Sequence, residues 1–149
     1  MVVIERLRKF IWNIFHSFTY PIKQHNNSSP SIVCNMCLGG ILSHERGWQF
    51  RSPFVNLMIP ADEFVELIQN LQTNINLDIS DISDNSKYPI GLLGGKFHLH
   101  FIHYRTFQEA VEKWRERSKR IDYNNIYIIL VQTKSCSTKG LINFQSLPF

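Results

Sequence analysis

The sequence has no apolar run long enough to cross a bilayer and no even set of cysteines. A membrane-spanning helix needs roughly 20 apolar residues, and Asn13, His16 and Ser17 interrupt the apolar stretch near the N-terminus. No small-residue cleavage site follows that stretch, so a secretory signal is not expected. Three cysteines cannot form a complete disulfide framework and favour a reducing compartment. We therefore expect a cytoplasmic protein.

Familiar catalytic signatures and a general nucleic-acid surface are also missing. The chain contains no G-x-S-x-G elbow, kinase motif set, H-E-x-x-H or D-x-D motif. Residues 1–30 carry four basic side chains against one acidic one, which is +3 of the total charge of +4. The rest of the chain is nearly neutral, which argues against nucleic acid as a partner.

Apolar and aromatic residues are plentiful, since 44% of the chain is hydrophobic and 11 residues are Phe. That composition predicts a packed core rather than disorder. Residues 31–149 are predicted to form one α/β domain, preceded in residues 1–30 by an amphipathic helix and a polar linker. The helix, over residues 2–18, would lie on an anionic membrane surface or dock on protein, and we favour docking. Its apolar side is formed by Val3, Ile4, Leu7, Phe10, Ile11, Ile14, Phe15 and Phe18.

Apolar patterning within residues 31–149 alternates between strand and helix. We expect a helix over residues 61–73, a hairpin at Gly94-Gly95, and a helix opened by a capping box at Thr106 and Glu109. Strands are expected at Ile32-Val33, at Phe54 to Ile59, on both arms of the hairpin and at Ile126 to Val131. The last is a continuous apolar run, as in a central strand covered on both faces. The pattern predicts a three-layer α/β/α domain with a mixed sheet.

The first predicted strand is followed by a C-x-x-C motif and a pair of glycines. We predict that residues 35–40 form a loop. Cys34 and Cys37 could form a dithiol pair or half of a zinc site. Zinc would need further ligands that the sequence does not clearly supply, so no cofactor or metal is expected and simple packing is preferred. Gly39 and Gly40 could instead let main-chain N–H groups approach a phosphate, but we favour an ordinary turn.

Polar residues follow the histidine-bearing strand and line the helix after it. His103 and Tyr104 lie at a strand exit, where α/β sheets place their sites, so His103 could transfer protons while Tyr104 orients a substrate. The simpler alternative is a partly buried histidine bonded to the main chain. Lys113, Arg117 and Arg120 form a basic stripe at helical spacing. Such a stripe could bind phosphate or be a solvated face with i, i+4 ion pairs from Glu109 to Lys113 and from Glu116 to Arg120, and we favour the solvated face.

Several short segments, taken in order, resemble one bacterial family of unknown function, DUF1919. They are Cys37-Leu38-Gly39-Gly40, Ser52-Pro53-Phe54, Tyr88-Pro89-Ile90-Gly91, His100-Phe101-Ile102-His103-Tyr104, Lys113-Trp114-Arg115-Glu116-Arg117 and Asn124-Asn125. The resemblance runs from about Ile32 to Phe149, and the chain looks like a shortened, diverged member. It implies a three-layer α/β fold. Members are often labelled as exopolysaccharide or capsule biosynthesis proteins, which is an associational guide to function.

The resemblance and the motifs together suggest a transferase-like protein that binds a sugar nucleotide or glycan. His103, Cys37 and Tyr104 are the candidate catalytic residues. The candidate ligand-binding residues are Asn35, Gly39, Gly40, Ser52, Lys113 and Arg117. The alternatives are a non-catalytic relative that contacts a partner or the inner face of the membrane through its N-terminal helix, and a zinc or dithiol protein using Cys34 and Cys37.

Overall fold

A computed structural model describes residues 29–134 and 136–147 of the chain. The strands are β1 (Ser31–Cys34), β2 (Ile79–Asp81), β3 (Ile90–Leu93), β4 (Phe97–His100) and β5 (Ile126–Ile129). The helices are α1 (Leu38–Glu45), α2 (Ala61–Gln69), α3 (Leu71–Asn74), α4 (Phe107–Ser118) and α5 (Thr138–Gln145). The predicted N-terminal helix lies outside the described residues. No helix among the described residues is both long and apolar enough to span a bilayer.

The α/β class is confirmed, with parallel and antiparallel strand pairs divided between two sheets. β1 and β5 pair in parallel, and β2, β3 and β4 form an antiparallel sheet in that order. The segment from Ser52 to Ile59 lies between the two sheets. Met58 makes an isolated antiparallel bridge to His100 of β4, and the Ile59 N–H donates to the Asn35 carbonyl after β1 at 2.9 Å.

The predicted hairpin is confirmed. Gly94 and Gly95, between β3 and β4, have φ of 60° and 69°. Residues that carry a side chain rarely adopt this backbone conformation. On β4, Phe97 and Leu99 point into the core and His98 lies on the opposite face, as strand alternation requires.

The helix after the hairpin is also confirmed, with the predicted N-terminal cap. The Thr106 side chain accepts a hydrogen bond from the Glu109 N–H at 3.2 Å. The buried face of α4 carries Ala110, Val111 and Trp114. The Trp114 indole donates to the Ile75 carbonyl at 2.9 Å, which satisfies its polar atom in the core. α4 is therefore fixed at its start by a cap and along its length by core packing.

The helix predicted over residues 61–73 forms, with one interruption. Pro60 precedes α2, and Asp62 and Glu63 occupy its first turn, where carboxylates favour the helix dipole. Asn70 leaves the helical conformation with φ −129° and ψ 51°, which separates α2 from α3. The fully buried residues of the core come from α2, α4, the two sheets and the segment between the sheets, and include Val33, Phe54, Phe64, Leu67, Ile68, Leu93, Leu99 and Trp114.

Three predictions of local structure are wrong. The expected loop at residues 35–40 turns into α1 from Leu38 onward. The expected strand at Phe54 to Ile59 is an irregular buried segment, because Asn56 takes a φ of 62° in its middle. β5 ends at Ile129, and its residues are half-buried or exposed rather than covered on both faces.

The glycines explain why α1 forms where a loop was predicted. A Cβ on Gly39 would lie 3.0 Å from Ile32 Cγ2, and one on Gly40 would lie 3.1 Å from Val55 Cγ1. Both glycines are buried. They allow the helix to pack closely against β1 and the Ser52–Ile59 segment, so tertiary packing outweighs the low helix propensity of glycine.

Candidate functional site

The centre of the candidate site is a hydrogen-bonded pair, Tyr104 and Arg117. Tyr104 lies in the turn after β4, and its ring packs edge-on against Phe101 with centroids 5.6 Å apart. The Tyr104 hydroxyl donates to the Val55 carbonyl at 3.2 Å and accepts from Arg117 Nη1 at 2.7 Å. This hydrogen bond connects the turn after β4 to the last turn of α4.

The Tyr104 phenol is held in its neutral form at physiological pH. Burial raises the pKa of Tyr104, the Arg117 guanidinium acts in the opposite direction, and a thiolate at Cys37 would add to the rise. A neutral phenol can both donate and accept hydrogen bonds. Tyr104 can therefore orient a neighbouring group but is a poor proton acceptor.

Arg117 has a guanidinium that forms no ion pair within the described part of the chain. It lies over the Phe50 ring, 5.1 Å from the centroid, and it donates one hydrogen bond to Tyr104. Among the described residues no carboxylate lies within ion-pair distance of it. A guanidinium has five N–H donors in a planar fork that suits phosphate. Most of the binding capacity of Arg117 is therefore available for an anion.

The other two members of the basic stripe share one carboxylate. Lys113 Nζ lies 2.9 Å from Glu116 Oε2, and Arg120 pairs with the other oxygen of Glu116. The hydrogen bond from Lys113 is the largest of the effects that lower the pKa of Glu116. Arg120 also donates to the Phe50 carbonyl at 3.3 Å. The stripe thus consists of a solvated ion-pair cluster and one separate arginine.

Cys37 approaches the same connecting segment as Tyr104. It immediately precedes α1, and its thiol donates to the Leu57 carbonyl at 3.6 Å, two residues beyond the carbonyl that Tyr104 contacts. Burial raises the pKa of the Cys37 thiol, and the nearby Cys34 adds to the rise. The turn after β1 and the exit of β4 therefore contact one segment, Val55 to Leu57.

The dithiol and zinc interpretations gain no support from the surroundings of the two thiols. Cys34 is fully buried, and burial raises its pKa. A raised pKa disfavours the thiolate that disulfide exchange and metal binding both require. Within the described part of the chain, no three His, Cys, Asp or Glu side chains are grouped closely enough to hold a metal ion.

The predicted ligand-binding residues near β1 are engaged in the protein's own packing. The fully buried Asn35 side chain donates to the Val131 carbonyl at 3.0 Å and accepts from the Val131 N–H at 2.7 Å. The Ser52 hydroxyl donates to the Ile32 carbonyl of β1, and Gly39 and Gly40 lie inside α1. These four residues shape the turn beside Cys37 and present no side chain to solvent.

The three histidines on β4 and in the turn after it differ in their contacts. Glu63 accepts hydrogen bonds from the His98 main chain at 2.6 Å and lies 2.9 Å from its ring. The neighbouring His100 has a buried Nδ1 with no hydrogen-bond partner. His103 is exposed in the turn beside Tyr104, and no described residue bonds to its ring. Its place allows proton exchange with solvent or a bound molecule.

Sequence reasoning missed the parts of the site supplied by the connecting segment and Phe50. The carbonyls of Val55 and Leu57 carry no sequence signal, since any residue has one. Phe50 lies in a stretch with no helix or strand pattern, and only its contacts with Arg117 and Arg120 connect it to the site. The Tyr104–Arg117 hydrogen bond joins residues 13 positions apart, a separation that no helix or strand period predicts.

Comparison with known proteins agrees with the resemblance seen in the sequence. The sequence profile of DUF1919, described as a domain of unknown function, matches residues 7–149. The match begins well before Ile32, where the resemblance was expected to start. A Haemophilus influenzae protein described as uncharacterized is 30% identical over 123 residues, which are 83% of this chain and 59% of that protein. The chain thus spans less than two thirds of that relative's length.

Proposed function

The chain belongs to the DUF1919 family, and on that footing we propose that it takes part in bacterial exopolysaccharide or capsule biosynthesis. In this proposal it is a transferase-like protein that binds a phosphate-bearing sugar, such as a sugar nucleotide. The family association supports the setting. The observation that carries the ligand class is Arg117, a cation held on an aromatic ring with no carboxylate partner among the described residues.

Arg117 is suited to phosphate because its position is already fixed. Stacking on Phe50 and bonding to Tyr104 hold the guanidinium before any ligand arrives. Arginine binds phosphate through paired N–H donors, and each charge-assisted bond is about twice as strong as a neutral one. A preorganised arginine loses less entropy on binding. We therefore assign the phosphate contact to Arg117, with Lys113 adding positive charge from the same helix face.

Tyr104, His103 and Cys37 have distinct roles in the proposal. The neutral Tyr104 phenol orients the sugar or phosphate. The exposed His103, next to it in the chain, exchanges a proton with the acceptor. Cys37 borders the site through its contact with Leu57. Asn35, Gly39, Gly40 and Ser52 fix the turn that positions Cys37. The proposal carries a cytoplasmic location with it, because all three cysteines are free thiols, as is usual in reducing compartments.

A thermal-shift screen of nucleoside diphosphate sugars tests the ligand class. A ligand present at about 100 times its Kd should stabilise the folded chain by about 2.7 kcal/mol, which is a measurable rise in Tm. Free sugars without phosphate are the control set. We expect at least one phosphate-bearing donor to raise Tm while its free sugar does not. A folded sample that responds to no donor would contradict the proposal.

A further inference from the structure

Asn56 lies in the middle of the segment that both Tyr104 and Cys37 contact. The Val55 carbonyl before it accepts the Tyr104 hydroxyl at 3.2 Å, and the Leu57 carbonyl after it accepts the Cys37 thiol at 3.6 Å. Val55 and Leu57 are both buried in the core. These contacts on both sides fix the main chain at Asn56, and with it the direction in which the Asn56 side chain leaves the backbone.

The backbone of Asn56 is left-handed, with a φ of 62°. Asparagine tolerates this conformation better than most residues with a side chain, but glycine adopts it freely. The chain uses glycine at three other left-handed positions, Gly47, Gly94 and Gly95. A requirement for the backbone conformation alone would therefore be met at least as well by glycine, and it does not account for the asparagine side chain. Non-glycine residues held in this conformation are concentrated at binding and active sites.

The carboxamide of Asn56 has no hydrogen-bond partner among the described residues, and neither has the Asn56 main-chain N–H. The residue is half-buried, yet the polar atoms of its side chain are not enclosed in the interior. Asn56 Oδ1 lies over the first turn of α1, 3.8 Å from the position that a Cβ on Gly40 would take. A carboxamide has two N–H donors and an acceptor oxygen. Asn56 therefore holds unused donors and an acceptor at a fixed place beside the candidate site.

We infer that Asn56 binds the hydroxyl groups of the sugar whose phosphate Arg117 holds. The Tyr104 hydroxyl relates the two residues, because this one oxygen donates to the Val55 carbonyl and accepts from Arg117 Nη1 at 2.7 Å. Asn56 is the next residue after Val55, which brings its carboxamide within reach of a sugar ring attached to a phosphate on Arg117. The carboxamide donates to one hydroxyl of the sugar and accepts from another. Asn56 thereby selects the sugar, while Arg117 holds the phosphate.

Two substitutions separate the Asn56 side chain from the backbone that carries it. Asn56→Gly removes the carboxamide and keeps the left-handed conformation, so the fold is retained. Asn56→Asp keeps the shape of the side chain and removes its N–H donors. Asp84→Gly is the matched control, because Asp84 also has a positive φ, of 39°, and is exposed in the loop between β2 and β3.

Because this role rests on the proposed function, its test separates sugar binding from phosphate binding. Calorimetric titration compares the nucleoside diphosphate sugar that gives the largest thermal shift with the same nucleoside diphosphate without its sugar. We expect the Kd of the sugar conjugate to rise by roughly tenfold or more in Asn56→Gly and Asn56→Asp, equivalent to about 1.4 kcal/mol. The Kd of the nucleoside diphosphate should stay unchanged in Asn56→Gly. Asp84→Gly should bind both ligands like the native chain.

The results that contradict the role of Asn56 differ from those that contradict the proposed function. An Asn56→Gly variant that binds the sugar conjugate like the native chain, or that loses affinity equally for both ligands, overturns the role of Asn56 alone. So does an equal loss of affinity for the sugar conjugate in Asp84→Gly. A native chain that binds neither ligand contradicts the proposed function and the role of Asn56 together.

Discussion

Asp62 of α2 and Gly140 of α5 are in such close contact that any side chain at residue 140 would displace the Asp62 carboxylate. A Cβ built on Gly140 would lie 2.1 Å from Asp62 Oδ1. The same oxygen accepts the Ser137 N–H at 2.9 Å, and the Ser137 hydroxyl accepts the Gly140 N–H at 3.0 Å. An aspartate from one helix thus caps the start of another, which fixes how α5 packs on α2.

This contact predicts that substitutions of Gly140 and Asp62 have coupled effects on stability. Gly140→Ala should lower the free energy of unfolding by up to about 1 kcal/mol, because its Cβ displaces the Asp62 carboxylate and breaks the cap, although alanine is the better helix former. Asp62→Ala should cost about 1 kcal/mol as a lost cap. The double variant should be more stable than the sum of the two losses implies, because the clash needs both side chains. Urea unfolding measures all three, and strictly additive losses would contradict the contact.

The Asn35 side chain should contribute strongly to the free energy of unfolding, because its two hydrogen bonds join the end of β1 to the chain after β5. Asn35→Ala leaves the N–H and C=O of Val131 without their partners, which should cost about 2–3 kcal/mol. Asn76→Ala is the control, since Asn76 makes one exposed hydrogen bond, to the Gln72 carbonyl at 2.8 Å. Its cost should stay within about 0.5 kcal/mol. Equal losses in chemical denaturation would show that the Asn35 bonds add nothing.

His100 should make the fold less stable in mild acid. Burial lowers the pKa of His100 below its ordinary value of 6.5, the charge of His98 acts in the same direction, and Glu63 opposes both. Because the unfolded chain then binds a proton more readily than the folded one, stability is lost as pH falls from about 6.5 toward the folded pKa. The Tyr88 ring, 6.0 Å away, also borders the imidazole.

The test is the free energy of unfolding measured between pH 7.5 and 5. His100→Gln cannot titrate and should show a shallower loss of stability in that range than the native chain. His103→Gln, at an exposed site, should match the native stability at pH 7.5, which controls for the change of residue type. If the native chain and His100→Gln have the same pH dependence, His100 is not the group responsible.

Local signals in the sequence were sufficient for the hairpin and for α4. Gly94-Gly95 supplies the positive φ that the turn needs, and Thr106 with Glu109 marks the start of the helix, so neighbouring residues alone determine both elements. The same holds for α2 after Pro60. Only its break at Asn70 was not visible, because a helical apolar pattern continues through that residue.

Tertiary contacts decided the elements that were predicted wrongly. The Gly39-Gly40 pair predicts a loop when it is considered alone. In the structure, Ile32 and Val55 approach these two positions so closely that a side chain at either one would push its neighbour aside, and the glycines therefore allow α1 to pack there. The apolar segment Phe54 to Ile59 read as a strand. Its middle residue, Asn56, adopts a left-handed conformation that apolar patterning does not report.

The candidate site was predictable in its residue types and not in its connections. His103, Tyr104 and Arg117 were named from their positions at a strand exit and on a helix. Lys113 and Arg120 pair with Glu116, whereas Arg117 lies over Phe50. This difference depends on three-dimensional packing, which the helical spacing of the three residues does not predict. The roles of all these residues in binding or catalysis stay predictions.

The central claim is that Arg117 binds the phosphate of a sugar donor, and calorimetric titration tests it most directly. The titrant is the nucleoside diphosphate sugar with the largest thermal shift, added to the native chain, Arg117→Gln and Arg115→Gln. Arg115→Gln removes the same charge from an exposed position of the same helix. We expect Arg117→Gln to weaken binding by roughly tenfold to a hundredfold, as for a lost charge-assisted contact, and Arg115→Gln to bind like the native chain. Unchanged affinity in Arg117→Gln, or an equal loss in both variants, would contradict the claim.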